Sequence, residues 1–167
     1  MTDTDNERDR RFLCEAIELA RANVGSGGRP FGAVIVRDGA VIASGVNEIV
    51  RSHDPTAHAE LLAVRAASQK LGSTDLSGCV VYASGQPCPM CMAAMRLAGV
   101  SQVVYAFSND DGAPFGLSTA ALQAELSLPH AEQSMTIRHQ PMLAPGAAPE
   151  PYAAWKERQA PAAGSDA

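Results

Sequence analysis

The dipeptide Asp38-Gly39, set between the β-branched runs "FGAVIV" and "AVIASGV", constrains this chain more than any other feature. Asp-Gly supplies the two positive-φ positions that a two-residue β-hairpin requires, so the flanking runs predict two antiparallel strands. Upstream, "RRFLCEAIELARANVG" carries apolar residues at Leu13, Ile17, Ala20 and Val24, spaced four, three and four, which predicts an amphipathic helix ending near Gly25. Downstream the period alternates. "TAHAELLAVRAASQKLG" reads as a helix from about Thr56 to Gly72, "CVVYAS" as a strand, "MCMAAMRLAG" as a buried helix and "QVVYAF" as another strand. A helix over "LSTAALQAEL", a last strand near "SMTIRHQPML" and a short helix around "YAAWKER" complete the expectation. A hairpin followed by helix–strand alternation gives a mixed sheet. The wholly apolar later strands require helices on both of its faces. The fold class expected is α/β, a three-layer α/β/α sandwich with a mixed five-stranded sheet.

The chain has 167 residues, enough for one domain with a sizeable core. That domain is expected over residues 1–159, with 144–159 an Ala- and Pro-rich tail able to swap onto a partner and 160–167 disordered. No apolar run is long enough to span a membrane, and the polar, acidic start "MTDTDNERDRR" lacks the pattern of a secretory signal. A cytoplasmic location follows, in which four cysteines read as thiols or metal ligands rather than as a disulfide framework. The net charge of −5 argues against a polyphosphate partner and favours a small neutral ligand.

"DPTAHAELLAV" places His58 and Glu60 where a proline-led loop becomes a helix, and "QPCPMCMAAM" places Cys88 and Cys91 three apart at the start of another. Residues three apart on a helix face the same side, and a helix N-terminus favours thiolate. One imidazole and two thiolates suit zinc and leave its fourth position open, as a catalytic site needs. Glu60 then reaches the same cavity without coordinating and can move protons. Cys14 and Cys79 are expected to be small core residues.

With "HAE" at 58–60 and "PCPMC" at 87–91 in that order, the chain resembles the cytidine deaminase-like superfamily of zinc deaminases. "PFGAVIVRDG", "DPTAHAE", "PCPMC" and "PYAAWKER" are most similar to bacterial guanine deaminases. The resemblance implies hydrolytic deamination of a free amino-substituted nucleobase or related heterocycle, such as guanine, isoguanine, cytosine or ammeline. Activated water adds to the amino-bearing ring carbon, Glu60 shuttles protons and ammonia leaves. It further implies that Asn47 hydrogen-bonds the base, that the Ala59 N–H contacts it, that the Ser84 carbonyl accepts from the departing amine and that Phe31 lines the pocket. A homodimer is implied too, with Trp155 in the tail that crosses to the partner.

Three positions depart from that pattern. Gln86 stands where the relatives carry Glu, Thr119 falls where guanine deaminases place an acid that reads the ring, and the chain ends "APAAGSDA" without a closing aromatic residue. Asp110 and Asp111 lie near Thr119. Two other functions compete. A tRNA-specific adenosine deaminase would share "HDPTAHAE" and "CMAAM" but needs a basic C-terminal helix. A non-catalytic zinc scaffold would have no use for Glu60.

Overall fold

The computed structural model describes residues 3–142 and 146–159. They fall into two compact units divided between Pro129 and His130. The first unit opens with α1 (Asp3–Gly25), followed by the hairpin β1 (Gly32–Arg37) and β2 (Ala40–Val46), the single turn α2 (Ile49–Ser52) and α3 (Ala59–Leu71). Then come β3 (Val80–Gly85), α4 (Pro89–Leu97), β4 (Gln102–Phe107), the single turn α5 (Asn109–Gly112), a 3-10 turn (Ala113–Phe115) and α6 (Ala120–Leu126).

The hairpin turn forms as its sequence requires: Asp38 has φ 51° and Gly39 φ 75°, so both central residues are left-handed. The sheet order is β2-β1-β3-β4. β1 pairs antiparallel with β2 and β3, while β3 and β4 run parallel, which makes the sheet mixed. Strand residues alternate between two cores. Ala33, Ile35 and Val81 meet Ala59, Ala63, Ala67, Cys91 and Met95 of α3 and α4. Val34, Val36 and Tyr82 meet Phe12 of α1 on the opposite face. This is the three-layer α/β/α arrangement, with β1 buried on both faces.

Four strands are present among the described residues, not five. Residues 134–142 of the expected strand "SMTIRHQPML" are irregular, Met135, Ile137 and Met142 are exposed, and Leu143 lies outside the described residues. A β-branched run forms a strand only where an edge accepts its backbone, and no ladder pairs this one. The buried stripe of α1 falls on Asp9, Phe12, Ala16 and Ala20, so Ala20 is buried as expected, Leu13 and Ile17 are half-buried at its edge and Val24 is exposed. Tyr82 explains the placement. Its hydroxyl donates to Asp9 Oδ1 at 2.7 Å and its ring packs on Phe12 at 5.1 Å, so the sheet selects that face. Cys79 is buried in the core as expected, but Cys14 lies on the exposed side of α1.

Two glycines set how closely the helices approach. A Cβ at Gly32 would lie 2.4 Å from the Ala16 carbonyl oxygen, and one at Gly45 would lie 2.4 Å from that of Ala59. The second contact is the one that matters for chemistry, because Ala59 opens α3. The other unit contains a 3-10 turn (His130–Glu132) and α7 (Glu150–Gln159), on which Tyr152 and Trp155 are exposed. The expectations for residues 144–145 and 160–167 lie outside the described residues.

Candidate metal centre

Two chain segments turn into helices at one corner of the sheet. The first is shaped by Asp54, whose Oδ1 accepts from the Thr56 N–H at 2.8 Å and from the Thr56 hydroxyl at 2.7 Å. Local bonds of this kind compete with helix formation. They delay α3 from the expected Thr56 to Ala59, leaving His58 as its N-cap in extended backbone with φ −76° and ψ 152°. The second segment is "QPCPMC". Pro89 fits the first turn of a helix because its missing N–H has no partner there anyway. Cys88 is therefore the N-cap of α4, again extended, and Cys91 lies one turn in.

His58 Nδ1 is 3.6 Å from Cys88 Sγ and 3.5 Å from Cys91 Sγ, and the two sulfurs are 3.6 Å apart. Tetrahedral zinc with Zn–S of about 2.3 Å and Zn–N of about 2.0 Å would place its sulfurs about 3.8 Å apart and sulfur and nitrogen about 3.5 Å apart. The donor set and its spacing both fit zinc. Among the described residues these three form the one cluster able to hold a metal ion. Cys88 and Cys91 are buried and His58 is half-buried.

The electrostatics suit a cation. Hydrogen bonding from Cys91, reinforced by His58, lowers the Cys88 thiol to about 4, so Cys88 is a thiolate at neutral pH. Cys91 is pushed the other way, first by the Cys88 sulfur and then by burial and Glu60. His58 is raised by its hydrogen bond to Cys88, against the opposing effect of burial. A bound divalent cation removes the conflict between the sulfurs, because both then serve as thiolates.

Glu60 is 7% exposed, on the first turn of α3. Burial raises its carboxyl above the usual range, and the carboxylate contacts the Cys91 thiol. A carboxyl that is buried against a metal ligand holds its proton more tightly than an exposed one.

Asn47 is 3% exposed at the end of β2, and its amide N–H donates to the Phe31 carbonyl at 3.0 Å. Glu48 N–H donates to the Ala57 carbonyl at 2.9 Å, tying the Asn47 segment to the residue before His58. Ala59 is buried, and Ser84 is buried with its hydroxyl accepting from the Gly32 N–H at 3.0 Å. Phe31 lies over Gly85, where a Cβ would come 2.9 Å from its ring. Phe31 also lines a cavity of about 670 Å³ with Gly85, Gln86, Phe107, Asn109 and Asp111.

The departing positions have structural roles. Gln86 Oε1 accepts from the Asn109 N–H at 3.0 Å, a bond that needs an acceptor but no charge. Thr119 is the N-cap of α6, and both its amide and its hydroxyl donate to Asn109 Oδ1, at 2.9 and 3.3 Å. Asp111 lines the cavity, with Oδ2 accepting from the Ser108 N–H and hydroxyl at 2.8 and 2.7 Å. Arg29 was absent from the sequence-derived set. It is close enough to His58 for its charge to disfavour imidazole protonation. Its place in the loop "GSGGRP" gives no periodic or motif signal that could have singled it out.

Comparison with known proteins agrees with this geometry. The family model for the cytidine and deoxycytidylate deaminase zinc-binding region matches residues 6–107. A guanine deaminase of Bacillus subtilis is 44% identical over 125 residues, covering 74% of this chain and 80% of the relative. The crystal structure of guanine deaminase from Bacillus subtilis superimposes with a TM-score of 0.80 at 40% identity, covering 89% of this chain and 93% of that one. A tRNA-specific adenosine deaminase of Aquifex aeolicus is 37% identical over 94 residues, 56% of this chain and 62% of the relative.

Proposed function

The chain belongs to the cytidine and deoxycytidylate deaminase zinc-binding family, and from that premise we propose that it hydrolytically deaminates a free amino-substituted nucleobase. The observation that carries this is the closed triangle of His58 Nδ1 and two cysteine sulfurs, with buried Glu60 against one of them. A purely structural zinc has no use for a buried, non-coordinating carboxyl beside its ligands.

In this mechanism His58, Cys88 and Cys91 hold the zinc. When bound, a zinc ion in such a set supplies Lewis acidity and brings the pKa of water to about 7. Glu60 takes the proton from the attacking water and returns it to the amino group as that group departs. The carbon–nitrogen bond breaks, a ring carbonyl replaces the amine, one water is consumed and one ammonia is released. Burial raises the proton affinity of Glu60, which favours its taking the proton that it later hands on. Asn47 and the Ala59 N–H bind the base, the Ser84 carbonyl accepts from the amine and Phe31 covers the ring.

Guanine heads the candidate substrates because of the similarity to the Bacillus enzyme. Thr119 and Asp111 bear on that choice, since their oxygens already serve local bonds. The similarity to tRNA-specific adenosine deaminases favours a second substrate class. The net charge of −5 weighs against a polynucleotide. No described helix is long and apolar enough to cross a membrane. A cytoplasmic setting is supported by four free cysteines. A homodimer belongs to the same proposal. Tyr152 and Trp155 stand three apart on α7, 74% and 65% exposed, an aromatic pair suited to covering a second copy.

The test is ammonia release by the zinc-loaded protein from guanine, isoguanine, adenine, cytosine and ammeline, with Glu60→Ala as the blank. Turnover of at least one base is expected. Release from none of them, with zinc bound, would remove the free-base proposal.

A further inference from the structure

Two of the base-binding residues assigned above, Phe31 and Asn47, sit on separate segments, and one side chain outside both holds those segments together. Asn23, near the C-terminal end of α1, directs its Nδ2 at two backbone carbonyls, that of Arg29 at 2.7 Å and that of Asn47 at 2.8 Å. Both partners are acceptors only, so the nitrogen end of the amide must face them, and both of its N–H bonds are used. The first carbonyl belongs to the loop that delivers Phe31. The second belongs to Asn47 itself. The Asn47 N–H returns a bond to the Phe31 carbonyl at 3.0 Å, and Glu48 N–H continues to Ala57, next to His58. A single amide on α1 thus ties the Phe31 loop to the end of β2, which is in turn hydrogen-bonded to the metal-binding segment.

The loop is shaped to admit this amide. Gly28 N–H donates to the Asn23 carbonyl at 2.8 Å, and a Cβ on Gly28 would lie 2.4 Å from Asn23 Nδ2 and 2.6 Å from its Cγ and Oδ1. Gly28 is not in the left-handed region, so its lack of a side chain serves space rather than backbone conformation. The geometry points to Asn23 as a positioning residue that fixes the Phe31 and Asn47 segments at one separation for base binding, with Gly28 as its required neighbour. This rests on the deaminase function proposed above, which gives those two segments their role.

Asn23→Asp is nearly isosteric but turns a donor toward two carbonyls into a repelling carboxylate. In the zinc-loaded full chain it should raise KM for the best base about tenfold, through lost hydrogen bonds and unpaired carbonyls, while zinc content stays at the wild-type level. The effect on kcat should stay within about twofold, because Glu60 and the metal ligands are untouched. Hydrogen exchange should accelerate for amides in 29–33 and 45–49 and not for those in α4. Gly28→Ala should reproduce the rise in KM in the wild-type background and add nothing to Asn23→Ala. It also carries the test if Asn23→Asp does not fold. Wild-type KM and exchange in Asn23→Asp would overturn the inference, and so would a lowered Tm with KM unchanged. If the wild-type protein deaminates no base, the functional proposal fails and the exchange pattern alone decides whether Asn23 holds the two segments.

Discussion

The metal corner and the segment after β4 use one local device for opposite ends. At both places an extended residue ends a loop and caps a helix. His58 and Cys88 make no side-chain cap bond, and their side chains turn instead toward each other. Ser108 does the reverse. Its hydroxyl accepts from the Asp111 N–H while Asp111 accepts from the Ser108 N–H, a complete capping box. A good N-cap stabilises a helix by about 1 kcal/mol, so α3 and α4 each forgo that contribution to present a ligand. Ser108, Asp111 and Thr119 satisfy backbone or neighbouring polar groups first. Side chains released from capping form the candidate metal cluster, and the Ser108–Asp111 pair engaged in capping lines the cavity.

Converting one kind of cap into the other should have the largest effect. Cys88→Ser supplies a good capping hydroxyl and removes a thiolate, so zinc binding and turnover should both be lost. Metal-free Cys88→Ser should nevertheless melt at or above metal-free wild type, by up to about 1 kcal/mol. Zinc analysis with calorimetry of both metal-free proteins checks this, and a marked loss of stability in the variant would contradict the comparison. Next in size is Glu60→Ala, which leaves all three ligands in place. General acid–base catalysis contributes about 10²- to 10⁴-fold, so kcat should fall by that range with zinc retained. Normal turnover would refute the proton shuttle. Ser108→Ala touches only the second kind of cap and should cost about 1 kcal/mol in denaturant unfolding without changing zinc content.

The smallest effect is an acid limb. Asp54, Asp75 and Asp111 each accept from a nearby backbone N–H and a hydroxyl, which holds all three carboxyls below their usual range. A group whose folded pKa is lowered stabilises the fold above its unfolded value. That stability is lost as pH falls through the folded value. Tm should therefore hold as pH is lowered to about 4 and decline below it. The decline should be shallower in Asp111→Asn.

The same contrast explains what the sequence disclosed. His58, Glu60, Cys88 and Cys91 were legible because helix geometry converts short spacing into shared direction, and few chemistries need that residue set. The hairpin and the four strands were legible from Asp38-Gly39 and from runs buried on one or both faces. The fifth strand was not, because a strand needs an edge and no local residue states whether one is offered. The start of α3 was misplaced because the Asp54–Thr56 turn competes with the first helical turn. Asn23 lay beyond reach for another reason: its partners are backbone carbonyls, one of them 24 residues away, and carbonyls have no sequence signature.

Gly45 lets α3 rest directly on β2, with the Ala59 carbonyl occupying the space of the missing side chain. For a diverging lineage that contact is a one-sided ratchet. Any larger residue at 45 pushes back the very turn that carries His58 and Glu60, so a library randomised there should return glycine under selection for turnover. Variation that leaves that turn in place must fall elsewhere, for instance at Asn109 and Asp111, which line the cavity with Phe31 and carry neither a metal ligand nor the buried acid.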